Sequence, residues 1–126
     1  MTKNIFTIFI IDDDPAVCKA LKSLFSVKGY ACETFNDPKE FLDQYPTYSS
    51  GKGCLLIDIF MPVINGLELQ AELKARHSLL PIIFISGHAD KELVLQAKQA
   101  GAFDVIMKPF DNNYLIERIQ AAIEQH

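Results

Sequence analysis

Two apolar runs in this chain, CLLI at 54–57 and PIIFI at 81–85, carry no polar side chain at all. A strand with one wet face alternates polar and apolar positions, so runs like these belong in a sheet covered on both sides. Three more strand-type runs accompany them, at about 5–11, 30–35 and 102–107, and every run is followed by a segment with helical spacing. Five such units imply a parallel sheet between two helix layers, right-handed at each crossover. The strand order expected is 2-1-3-4-5, which puts the topological switch point between strands one and three.

With 126 residues the chain holds one domain, residues 1–126, of a size that builds its own core. Hydrophobic residues make up 49% and charged residues 22%, a balance that excludes disorder. A net charge of −4 offers no basic stripe for nucleic acid. No long apolar span or signal-peptide pattern precedes the first strand, so a cytoplasmic protein without membrane contact is expected. Cys18, Cys32 and Cys54 lack ligand spacing and are expected to be reduced and buried.

Caps and breakers place the helices. The first starts after Asp14 with Pro15 at its first position and stops at Lys28-Gly29; its apolar face reads Val17, Ala20, Leu21 and Leu24. Asp37-Pro38 opens the second, with Phe41, Leu42 and Tyr45 inward, and PTYSSGKG after it reads as the longest loop. The third follows Asn65-Gly66, and the fourth runs from about Asp90 to Ala100 with Leu93, Val94 and Ala97 as its apolar contacts. The fifth follows Asp111 with Leu115, Ile116, Ile119, Ala122 and Ile123 inward.

The strands all end on chemistry. The first runs into Asp12, Asp13 and Asp14, the third into Asp58, the fourth into Ser86 and Gly87, and the fifth into Lys108 and Pro109. In a parallel sheet these ends share one edge, where ligands sit. Asp14 serves as a helix cap, but one cap needs one carboxylate. Two carboxylates about 4 Å apart at an effective dielectric near 20 repel by about 4 kcal/mol, and Asp58 adds to this. A cation offsets the repulsion, and few carboxylates suit Mg²⁺ better than Ca²⁺. Asp58 alone reads as an Asx turn; beside a cation site and Lys108 it reads as a nucleophile that forms an acyl phosphate. Ser86 and Gly87 would face phosphoryl oxygens, with Gly87 allowing close approach. Pro109 would aim the Lys108 amine inward, with a cis peptide as one means. His88 stands next to the site, as either a solvated loop residue or a modulator.

IDDDP, IDIFMPVINGLEL, SGHAD and KPF, in that order and over essentially the whole chain, resemble the receiver domain of two-component response regulators. The wording of SGHAD and GLEL is most similar to the NarL/FixJ type, in which a LuxR-type DNA-binding domain often follows. The resemblance implies a flavodoxin-like (βα)5 fold with Asp58 as phosphoacceptor. It further implies Mg²⁺ held by Asp13 directly, by Asp12 largely through water, by Asp58, and by the backbone carbonyl of Phe60. Ser86 becomes the switch hydroxyl and Lys108 the amine on the phosphoryl group. The partner implied is a sensor histidine kinase or phosphotransfer protein, and the output face is helix 4/strand 5/helix 5, also a homodimer surface. Such a domain is not an enzyme in its own right, although it assists its own phosphotransfer and dephosphorylation.

One position departs from the family. Three residues before Lys108 an aromatic is usual, and this chain has Val105. Phe103 shares its strand parity but sits one repeat earlier, too far to substitute. Three rival readings are a haloacid-dehalogenase-type phosphatase, an FMN-binding flavodoxin and a degenerate receiver acting as an interaction module. The first needs a second acid two residues after the nucleophile, where Phe60 stands. The second needs a phosphate loop where three aspartates would repel phosphate. The third is disfavoured by the intact acidic pair, Asp58 and Lys108.

Overall fold

Strands and helices alternate along the chain in the structure, a computed structural model that describes residues 6–48, 52–61, 64–87 and 90–125. The elements are β1 (Phe6–Ile11), α1 (Pro15–Val27), β2 (Ala31–Phe35), α2 (Pro38–Tyr48) and β3 (Lys52–Asp58). They continue with α3 (Gly66–Ala75), β4 (Ile82–Ser86), α4 (Lys91–Gln99), β5 (Asp104–Met107) and α5 (Asn112–Glu124). All strand pairs are parallel and the order is β2-β1-β3-β4-β5, the expected flavodoxin-like arrangement.

The sheet separates two apolar layers. Phe9, Ile11, Leu55, Ile57 and Phe84 pack with Phe41, Leu42 and Tyr45 of α2, Leu69 and Leu73 of α3, and Ala97 of α4. Ile8, Ile10, Cys54, Leu56, Ile83, Ile85 and Ile106 pack with Cys18, Leu21 and Phe25 of α1 and with Leu115, Ile119 and Ala122 of α5. The strands therefore keep their period of two, even in β4 and along residues 53–57 of β3, where both faces are dry.

Helix starts follow the sequence closely. Asp14, Asn65, Asp90 and Asp111 cap α1, α3, α4 and α5, each accepting a backbone N–H one or more residues inside the helix. Pro15 is the first residue of α1. Gly29 and Gly101 stop α1 and α4 in the left-handed region, at φ +86° and +106°.

Three readings need correction. The α1 face is rotated: Cys18, Leu21 and Phe25 are buried, Val17 and Leu24 are half-buried, and Ala20 is exposed. Phe25 and Cys18 carry more apolar bulk than Ala20 and turn the helix toward themselves. The segment 46–53 is not all loop, because α2 runs to Tyr48 and β3 begins at Lys52; residues 49–51 lie outside the described set. Lys52 and Gly53 pair with Phe6 and Thr7 through backbone, which polar side chains do not advertise. Pro46 lies inside α2 and has no N–H for the Leu42 carbonyl four residues back. The Arg76 guanidinium, at the end of α3, donates to that carbonyl instead at 2.8 Å. Finally, Phe103 does not share the parity of Val105. It precedes β5 in a bend and joins the α1/α5 layer, under the Arg118 guanidinium at 4.9 Å, while Val105 packs in the opposite layer.

Candidate functional site at the carboxyl edge of the sheet

Backbone pairing carries β1, β3, β4 and β5 to a common edge. Asp12 and Asp13 follow β1, Asp58 is the last residue of β3 and pairs with Ile85, and Ser86 closes β4 opposite Met107. The Lys108 N–H donates to the Ser86 carbonyl at 2.8 Å, so the chain carrying the amine is tied to the one carrying the hydroxyl. Lys108 and Pro109 are joined by a cis peptide.

The acidic residues converge as their spacing required. One carboxylate oxygen from each of Asp12, Asp13 and Asp58 lies within 4.8 Å of the other two. Asp12 is buried, Asp58 is half-buried and Asp13 is exposed, so the cluster opens to solvent on the Asp13 side. The Lys108 ammonium stands 3.7 Å from Asp12 Oδ2. Burial raises the Asp12 carboxyl above its ordinary value, and the charges of Asp58 and Asp13 push the same way. The Asp14 N–H, donating to Asp12 Oδ1 at 2.9 Å, and Lys108 oppose this without reversing it. One amine thus leaves the three carboxylates in excess, and hard oxygen donors in such a cluster fit a divalent cation such as Mg²⁺.

Asp58 makes a local turn and stands in the acidic cluster at once. Its Oδ1 accepts the Phe60 N–H at 3.1 Å, the Asx turn expected of a structural residue, and its carboxylate still joins the cluster. Phe60 is 43% exposed. Ser86 is 1% exposed, on the face of the sheet that also carries Phe84 and Val105. Gly87 is exposed, and a Cβ there would meet nothing within 4 Å, so the protein itself does not require glycine at that position. His88 lies outside the described residues. The thiols are free; burial raises all three, Cys32 to about 11 and Cys54 to about 12, although Cys32 is only half-buried.

Three further sets of contacts support the site. Gly66, the first residue of α3, would place a Cβ 2.9 Å from the Asp58 carbonyl, Ile59 Cα and the Phe84 ring. Its N–H donates to the Ile59 carbonyl at 2.8 Å, so α3 begins pressed against the strand end that bears Asp58. Asn65 and Glu68 form a reciprocal capping box at the same point, which the N-x-x-E spacing does announce. Asn36 and Cys18 both reach the Asp12 carbonyl, at 3.0 and 3.4 Å. Nothing local to Asn36, a turn-type residue before Asp37-Pro38, signals that contact.

The family model for the response regulator receiver domain matches residues 8–120. The response regulator TodT of Pseudomonas putida is 40% identical over 124 residues, covering 98% of this chain and 54% of TodT. The transcriptional regulatory protein FixJ of Bradyrhizobium diazoefficiens is 38% identical over 118 residues, covering 94% of this chain and 57% of FixJ. The chain therefore spans a little over half the length of these relatives. The crystal structure of FixJ-N superposes with a TM-score of 0.88 at 33% identity, covering 100% of this chain and 98% of that one.

Proposed function

The chain belongs to the response-regulator receiver domain family, and from that membership we propose that Asp58 accepts a phosphoryl group from the phosphohistidine of a sensor kinase or phosphotransfer protein. The observation that carries this reading is the convergence of Asp12, Asp13 and Asp58 within 4.8 Å, with the Lys108 ammonium 3.7 Å from Asp12. Asp13, Asp58 and the Phe60 carbonyl would hold Mg²⁺, with Asp12 acting through water. The ion would neutralise charge shared between the carboxylate and the phosphoryl oxygens.

The chain's own residues do the rest. An Asp58 oxygen attacks phosphorus and forms a P–O bond. The P–N bond to the donor imidazole breaks, and the imidazole takes up a proton. Lys108 offsets charge on the phosphoryl oxygens, while the Ser86 hydroxyl and the Gly87 backbone face them. Phe60, large and apolar two residues past the acceptor, is our candidate for crowding the path of water that would later hydrolyse the acyl phosphate.

The hydroxyl, drawn inward, is our candidate for the switch. Val105 is β-branched and cannot swing into the space Ser86 leaves. Movement therefore passes to the loop after β4 and to α4, whose only buried side chain among those described is Ala97. A groove of about 440 Å³ beside α4, lined by Val94, Leu95 and Met107 between Lys91 and Lys98, would change shape with it. Asp104 couples this face to α5 through Arg118 at 2.7 Å and to α4 through Lys98 at 3.9 Å. We assign α4/β5/α5 as the surface for an output partner or a second copy, in a cytoplasmic signalling protein. The charge of −4 supports no role for this domain on nucleic acid. Among the described residues no helix is long and apolar enough to cross a membrane.

Intact mass measured after treatment with Mg²⁺ and a small phosphodonor tests the assignment. The parent should gain one phosphoryl group and Asp58→Asn none. Equal labelling of the two would sink it.

A further inference from the structure

We propose that Asn36 and Cys18 are positioning residues for the acidic pair: they clamp the Asp12 carbonyl and thereby fix the peptide that joins Asp12 to Asp13. This rests on the reading of Asp12, Asp13 and Asp58 as a divalent-cation site.

The geometry singles out one peptide. Asp12 lies one residue past β1, where the ladder ends; its N–H makes the last bond of the β1–β2 pairing, to the Phe35 carbonyl at 3.0 Å. Its carbonyl has no strand partner there. It receives the Asn36 amide at 3.0 Å from the β2–α2 loop and the Cys18 thiol at 3.4 Å from the first turns of α1. The same Asn36 nitrogen lies 3.4 Å from the Cys18 sulfur, closing a triangle around one oxygen. The side chain is held as well, Oδ1 by the Asp14 N–H at 2.9 Å and Oδ2 beside Lys108 at 3.7 Å.

The consequence falls on the next residue. Asp13 is exposed, so no core packing fixes its carboxylate and the direction of that side chain follows from the backbone that carries it. Release of the carbonyl lets ψ of Asp12 and φ of Asp13 turn together, which swings the Asp13 carboxylate away from those of Asp12 and Asp58. Repulsion among the three favours that swing when no cation is bound. The clamp opposes it and keeps three oxygens gathered before the ion arrives. Loss of a ligand's hydrogen-bonded support typically weakens metal binding by about tenfold to a hundredfold.

Asn36 is exposed and fills no core volume, so its loss should separate positioning from stability. Isothermal titration calorimetry of the purified chain with MgCl₂ reads affinity directly, and thermal melts in EDTA read the fold. Asn36→Ala should weaken Mg²⁺ by about tenfold while its metal-free melting point stays near the parent's. Cys18→Ala should weaken it in the same direction, and Cys18→Ser, which keeps a donor, should recover most of the loss. The cysteine pair carries the test if Asn36→Ala does not fold. Parent-like affinity in both alanine variants would overturn the clamp, as would a Cys18→Ser variant no better than Cys18→Ala. A parent chain that fails to bind Mg²⁺ would remove the cation site itself, and the clamp with it, which is a separate and recognisable result.

Discussion

Replacing Asp12 by Asn should stabilise the metal-free fold at neutral pH. The carboxylate is 4% exposed and lies within 4.8 Å of the Asp58 carboxylate and 3.7 Å from the Lys108 ammonium. At an effective dielectric near 20 the Asp58 repulsion is at least about 3.5 kcal/mol and the Lys108 attraction about 4.5 kcal/mol, so those two nearly cancel. The exposed Asp13 carboxylate, also within 4.8 Å, adds a further repulsion that solvent screens. Desolvation then decides, at several kcal/mol for an ion that cannot reach water. Asn keeps the oxygen that accepts the Asp14 N–H and offers an amide to the neighbouring carboxylates. We expect a gain of about 1–2 kcal/mol, or roughly 3–10 °C in melting temperature for a chain of this size. The pH dependence carries a definite sign. Burial raises the Asp12 carboxyl above 3.8, so the unfolded chain releases that proton first as pH rises. Parent stability therefore falls as pH climbs from about 4 through the raised value, and the full deficit is present above it. Below about pH 4 both states hold the proton and the advantage of Asn should vanish. Urea denaturation in EDTA across that range measures it, and a repeat with Mg²⁺ should stabilise the parent far more than the variant. A variant less stable than the parent at neutral pH, or a gain of equal size at both ends of the range, would refute the reasoning.

Gly66→Ala should destabilise the fold by about 1–3 kcal/mol, because a Cβ at 2.9 Å from three fixed atoms forces α3 off the Asp58 strand end. It should also slow phosphorylation, and a urea midpoint and labelling rate equal to the parent's would contradict this. Arg76→Ala should cost about 1–3 kcal/mol by leaving the Leu42 carbonyl unpaired ahead of Pro46. Glu72→Ala, which removes only the exposed ion pair with Arg76, should cost less than about 0.5 kcal/mol, and equal losses in the two variants would count against the helix repair. Phe60→Ala should speed loss of the phosphoryl group more than it changes labelling, since Phe60 is bulky, stands two residues past Asp58 and is 43% exposed. An unchanged decay rate, followed by intact mass over time, would rule that out.

The order of elements and the composition of the site were legible in the chain because both are local. Caps at Asp14, Asn65, Asp90 and Asp111 act within a few residues, and CLLI and PIIFI announce a doubly covered sheet by composition alone. Once the strands are parallel, Asp12, Asp58, Ser86 and Lys108 have nowhere to go but one edge. The orientation of each side chain was another matter. A run apolar at every position hides its period of two, so only packing decides that Leu55 and Ile57 face α2 and α3 while Cys54 and Leu56 face α1 and α5. A bend before Asp104 puts Phe103 and Val105 in opposite layers, against the parity that counting residues implies. The contacts that set the site also span long stretches of sequence, 24 residues from Asn36 to the Asp12 carbonyl and 34 from Arg76 to that of Leu42. Backbone carbonyls look identical in every sequence. Which of them is left unpaired, and which distant side chain reaches it, depends on how the helices close on the sheet, so that part of the protein was decided by the tertiary structure alone.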